Sequence, residues 1–241
     1  RNLGGLSFNK ESLEKMNQIS HAKNLPFICL PGYKNDDPSI LSLSTAPVPV
    51  CQKMFSYYEA CHSEHIIESL IDADFDVAAS SRLPKGSGYV NGIPHAFGFI
   101  YRQIMKDDVT PNVPILVNTF YPPNQPKANR CYALGKALKD AIESWNSDAR
   151  VAIFASGGLS HFVIDEDLDR KVIDALINHD HKSLIAIPEN LYQSGTSEIK
   201  NWIPVAAVMD ECEKTMTLVD YVPCYRSEAG TGNAMGFLYW E

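Results

Sequence analysis

Residues 150–170 read RVAIFASGGLSHFVIDEDLDR, and the reading of this stretch decides the fold. The apolar run at 151–155 has the length and composition of a buried strand. It gives way to Ser156, Gly157 and Gly158, where glycine opens backbone conformations closed to residues with a Cβ. His161 follows on that turn. Asp165, Glu166 and Asp167 then precede Leu168, Val172, Ile173 and Leu176 at helical spacing, so Asp165 is the expected N-cap of an amphipathic helix. In a parallel α/β sheet, reacting groups sit on the loops that leave the carboxyl ends of strands. His161 is therefore the first candidate for chemistry.

Working outward, the preceding unit repeats the pattern. VPILVNTF at 113–120 is an expected strand, 121–126 a proline-rich loop, and 128–145 a helix with Leu134, Leu138, Ala141, Ile142 and Trp145 on one face. Strand, helix, strand, helix in this order implies right-handed crossovers. The expected fold class is α/β, one domain with a mainly parallel central sheet and helices on both faces. Earlier in the chain the pattern predicts helices at 9–19, 51–71 and 96–105 and strands at 26–30 and 75–79, with a turn-rich stretch at 32–49. Later it predicts a short helix at 182–187. A turn formed by Ser194, Gly195, Thr196 and Ser197 then leads into Glu198 and a helix carrying Ile199, Trp202, Ile203 and Ala206. A strand at 216–222 and a glycine-rich tail at 230–236, ending in the aromatic run 237–240, complete the chain.

The 241 residues are 45% hydrophobic and 21% charged, a balance that builds a globular core rather than a disordered chain. A net charge of −8 without a basic cluster argues against a nucleic-acid partner held by phosphate contacts. No run approaches the roughly 20 apolar residues of a membrane span, and the first residues lack a secretory pattern. The six cysteines are scattered, with no metal-ribbon spacing. They read as free thiols and packing residues in a reducing cytoplasm.

His95, Asn118 and His161 each follow a predicted strand. If those strands are parallel, the two histidines share one cleft, where they suit acid/base chemistry or metal binding; the simpler alternative is that each hydrogen-bonds its own loop. Glu198 lies in the first turn of a predicted helix, with Thr196 or Ser197 as the expected cap. A carboxylate is stabilised there by the helix dipole whether or not it has a function. Mononuclear iron(II) oxygenases combine two histidines with one carboxylate, which is the reason to read these residues together. The remaining histidines carry weaker signals: His62 and His65 share a helix face, His179 and His181 flank Asp180 near a helix end, and His21 has no readable context. GTGNAMG at 230–236 lacks the strand-to-helix setting of a dinucleotide site. The Gly157–Gly158 turn lacks the frame of a nucleophile elbow.

Six segments carry a resemblance, in order: PHAFGF at 94–99, VNTFYPPNQP at 117–126, RCYALG at 130–135, GGLSHF at 157–162, SGTSEIKNW at 194–202 and YVPCYRSEAGTG at 221–232. Together they resemble the class III extradiol ring-cleavage dioxygenases, the superfamily of the catalytic subunit of protocatechuate 4,5-dioxygenase, over about residues 55–240. The resemblance implies one non-haem Fe(II), with zinc as the alternative metal, and a small aromatic diol opened by insertion of both atoms of O2. It implies His161 as acid/base, His95 as a second active-site histidine, Glu198 as the carboxylate ligand of iron, and Ser227 as a contact for a substrate carboxylate.

The substrate it implies is protocatechuate- or gallate-like, and the oligomer either a homo-oligomer or a pairing with a small companion subunit. The family's other ligands lie in N-terminal segments that begin with a strand ending in Ser-His. Here Ile19, Ser20 and His21 have no strand ahead of them, so residues 1–241 are expected to form one such domain lacking N-terminal segments. The alternative is a non-catalytic scaffold or partner subunit that has lost its metal site.

Overall fold

The computed structural model describes residues 27–30, 63–79, 95–108 and 110–241. The chain divides into two compact units, Tyr33–Leu116 and the combination of Arg1–Gly32 with Val117–Glu241. No helix among the described residues is long and apolar enough to cross a membrane.

In the Tyr33–Leu116 unit, helix α1 (Ser63–Asp72) is the described end of the helix expected at 51–71, and it buries Leu70. The strand expected at 75–79 is irregular backbone outside the sheet. Helix α2 (His95–Phe99) runs into a π-helical turn, Ile100–Ile104, matching the predicted helix at 96–105. The turn buries Ile100, Tyr101 and Ile104. The Tyr101 hydroxyl is not stranded, because it donates to Asn112 Oδ1 at 2.7 Å.

The other unit is built on a five-stranded sheet. Its strands are β1 (Phe27–Leu30), β2 (Ala155–Ser156), β3 (His161–Val163), β4 (Met216–Tyr225) and β5 (Thr231–Trp240). β4 pairs along the whole of β5, while β3 and β1 share the opposite edge, β3 at residues 231–233 and β1 at residues 238–239. β5 is thus the central strand, buried at every position but its first. This corrects the expected mainly parallel sheet: β1 with β2 is parallel, but β5 runs antiparallel to β1, β3 and β4.

The physical reasons are specific. Residues 113–120 join no ladder among the described residues; Pro114 lacks an N–H, and Leu116 stays 59% exposed. Of the run at 151–155, Ala155 alone enters a strand. β4 and β5 are consecutive and joined by a short turn, a connection that makes neighbours antiparallel. The segment expected as a tail is the middle of the sheet. The helix expected at 9–19 lies outside the described residues.

The helices of this unit follow the apolar periodicity. α3 (Ala128–Glu143) packs on α6 (Trp202–Glu211), and their closest approach is at Gly135, where a Cβ would collide with the Pro204 carbonyl. α3 has no local side-chain cap; instead Glu189 Oε1 accepts the Ala128 N–H at 2.7 Å. α4 (Glu166–Ile177) is capped as expected, with Asp165 accepting from Leu168 N at 3.0 Å. α5 (His181–Ala186) follows, capped by Asp180. Between α5 and α6 the chain forms a 3-10 segment, Ser194–Asn201, which carries Glu198.

Candidate active site

The site is formed where the turn leaving β2 meets the 3-10 segment. Side chains of that segment, and of Trp202 at the start of α6, bond the turn almost residue by residue. Asn201 Nδ2 donates to Ser156 O at 3.1 Å, Trp202 Nε1 to Gly157 O at 3.2 Å, and Gly158 N donates to Glu198 Oε2 at 2.7 Å. Thr196 Oγ1 both accepts from His161 N at 3.1 Å and donates to His161 O at 2.9 Å. Thr196 therefore anchors the backbone of His161, and neither it nor Ser197 caps the helix; the residue at the cap of the 3-10 segment is Gln193.

Such close stapling explains the glycines, and differently from the sequence reading. Among the described residues the glycine with positive φ is Gly230, so Gly157 and Gly158 are not needed for conformational range. They are needed for space. A Cβ on Gly157 would lie 2.8 Å from Glu198 O, and one on Gly158 would lie 3.1 Å from the His161 ring. Gly195 sits tighter still: its Cβ would lie 2.6 Å from both His161 Nε2 and His161 O.

These contacts define the electrostatics. The His161 ring is 6% exposed, stands edge-on to Phe162, and places Nε2 3.6 Å from Glu198 Oε1. Nδ1 lies 2.7 Å from the Leu159 carbonyl. A carbonyl oxygen only accepts, so Nδ1 must carry the proton, and in the neutral ring Nε2 holds the lone pair. The lone pair faces a carboxylate that is 28% exposed, on the side of the site open to solvent.

Two of the sequence-derived residues, His161 and Glu198, are thus brought together. Ser227 lies in the exposed turn joining β4 to β5, its Oγ 2.7 Å from Thr231 Oγ1. That turn lies beyond the end of β3, where Val163 pairs with Thr231. His95 opens α2 in the other unit.

The remaining candidates fall elsewhere. Asn118 ties its own loop, bonding Tyr121 O and Asn124 Oδ1, each at 2.7 Å. His179 pairs with Asp210 at 2.7 Å, and His181 stacks on Tyr132. His65 is on α1; His21 and His62 lie outside the described residues. Among the described residues no three histidines, cysteines or carboxylates converge as a metal cluster. Sequence reasoning passed over Gly195, Asn201 and the anchoring role of Thr196. The available signal was the run of small and polar residues in SGTSEIKNW, most of it buried.

The chain is 35% identical over 128 residues to gallate dioxygenase of Pseudomonas putida, an alignment covering 49% of this chain and 35% of that protein. The matched part thus spans about a third of the length of this curated relative. Residues 63–231 match the family model described as the catalytic LigB subunit of aromatic ring-opening dioxygenase. That match includes both His161 and Glu198, and the chain belongs to this family of aromatic ring-opening dioxygenases.

Proposed function

We propose that the protein is an Fe(II)-dependent extradiol dioxygenase that opens a catecholic, protocatechuate- or gallate-like ring with O2. The observation that carries the reading is the orientation of His161: Nδ1 is held on Leu159 O, so Nε2 is directed as a base beside Glu198. Glu198 is a carboxylate donor of the kind ferrous iron accepts, and among the described residues it is the one donor assigned to the metal. Glu198 would hold the ion. When bound, iron would supply the site for both diol hydroxyls and a path for electrons from the diol to O2.

The chain's own residues supply the proton chemistry. Nε2 of His161 takes the proton of a substrate hydroxyl as a general base. The Nδ1–H···O=C bond keeps the ring from turning as the proton arrives. Burial of the ring limits exchange with bulk water. His95 is assigned as the second histidine near the substrate. Ser227 is assigned as a donor to a substrate carboxylate. The gallate dioxygenase relationship supports a polyhydroxylated benzoate as the first substrate to try.

The test uses the full-length natural protein loaded anaerobically with Fe(II). Expected is uptake of one O2 per diol with a yellow ring-opened product from gallate or protocatechuate. Iron-loaded protein that consumes no O2 with either diol contradicts the proposal.

A further inference from the structure

Linked to His161 through the Leu159–Ser160 peptide is a carboxylate that the proposed reaction leaves unused. Asp169, in the first turn of α4, is fully buried. It accepts Ser160 N at 2.8 Å, Ser160 Oγ at 2.7 Å and Tyr221 OH at 2.9 Å. Ser160 Oγ in turn accepts the Asp165 N–H at 2.7 Å, so its own proton is directed at Asp169. Burial, and to a lesser degree the nearby Asp165 carboxylate, shifts its pKa upward, while the hydrogen bonds donated by Ser160 and Tyr221 favour the anion.

The geometry matters because of which peptide is held. The Leu159–Ser160 peptide is one rigid plane. Its N–H donates to Asp169 Oδ1, and its C=O accepts from His161 Nδ1. Carboxylate, peptide and imidazole therefore form one continuous hydrogen-bonded chain, in which each bond polarises the next. A carboxylate on the N–H makes the carbonyl a stronger acceptor and stops the plane from rotating.

We propose that Asp169 is a positioning residue for His161, acting through the Leu159–Ser160 peptide to keep the ring proton on Nδ1 and the base at Nε2. This rests on the reading of His161 as the base. Asp169 touches no substrate.

Two readouts test it. The first is activity-independent: nitrogen-15 NMR of histidine-labelled, metal-free protein at one fixed pH, comparing wild type, D169N and S160A. Wild type and S160A, which both keep the peptide N–H bond to Asp169, are expected to show one His161 tautomer with hydrogen on Nδ1. D169N is expected to show a mixture of tautomers. The second is kinetic. D169N should lower kcat about tenfold or more with KM within about twofold, since general-base catalysis of this type contributes roughly 100-fold or more.

In the H161A background the same substitution should change kcat by less than about twofold, because groups acting as a unit are not additive. If D169N does not fold, D169E, whose carboxylate is displaced by one methylene, takes its place in both comparisons. A single retained tautomer in the Asp169 variant, an equal loss in S160A, or a full loss persisting beside H161A would overturn the proposal. Wild-type protein without turnover would defeat the dioxygenase reading instead, leaving the tautomer comparison to decide this one.

Discussion

Replacing Gly195 with alanine perturbs His161 without removing any polar group of the site. The new Cβ would sit 2.6 Å from His161 Nε2 and 2.6 Å from His161 O, whereas an unstrained contact needs roughly 3.5 Å. Something must therefore move by about 1 Å. Ring rotation alone cannot provide it, because the second close atom is backbone, held by Thr196 Oγ1 at 2.9 Å. Overpacking a closed site of this kind costs about 1–3 kcal/mol. For a chain of this size each kcal/mol lowers Tm by roughly 2–4 °C, so a 2 kcal/mol cost lowers it by about 4–8 °C.

The effect on turnover is larger in proportion, since a misplacement of about 1 Å near the reacting atoms costs on the order of 100-fold. Calorimetry of the purified variant reads the first quantity and O2 uptake by the Fe(II)-loaded enzyme reads the second. A G195A protein with Tm within about 1 °C of wild type and undiminished turnover would refute the packing argument and the assignment of His161 together.

Other consequences follow from the same contacts. Asp165→Ala removes the cap of α4 and is expected to cost about 1 kcal/mol in urea unfolding; an unchanged midpoint would contradict the capping bond. Burial pushes the Cys131 thiol up to about 12, which leaves about one thiolate in ten thousand at pH 8. Alkylation followed by peptide mapping should therefore label exposed Cys212 in the native protein and Cys131 only after unfolding; equal labelling would contradict this. Burial also raises the Asp169 carboxyl above its ordinary value near 3.8. The folded state then binds that proton more tightly than the unfolded chain, so this group's contribution is fully present below the ordinary value and is lost as pH rises through the raised one. The stability of D169N relative to wild type should accordingly improve as pH rises from about 4 through the raised value, and a difference independent of pH would contradict the assignment.

The helices among the described residues and the cap of α4 were legible because apolar spacing and Asp165 are local signals. The sheet was not. β5 contains Gly232 and Gly236, and glycine inside an apolar run reads as punctuation. In the folded chain they are required by contacts remote in sequence: a Cβ at Gly236 would lie 2.8 Å from the Trp202 ring, and one at Gly232 would lie 2.7 Å from the Ile164 side chain. The same distance in sequence hid the anchoring by Thr196, whose partner is 35 residues away. His161 could be singled out from its own turn. Its pairing with Glu198 came from the donor set of iron(II) oxygenases and from family resemblance, since no periodicity links a strand end to a 3-10 segment.

The most direct test of the account separates the two halves of the site. Full-length wild type, H161A and E198A would be loaded with Fe(II), desalted, and measured for bound iron and for O2 uptake with gallate. E198A is expected to lose its iron. H161A is expected to keep iron and lose turnover by on the order of 100-fold or more, the contribution of a general base. Full turnover in H161A, or undiminished iron in E198A, would contradict it.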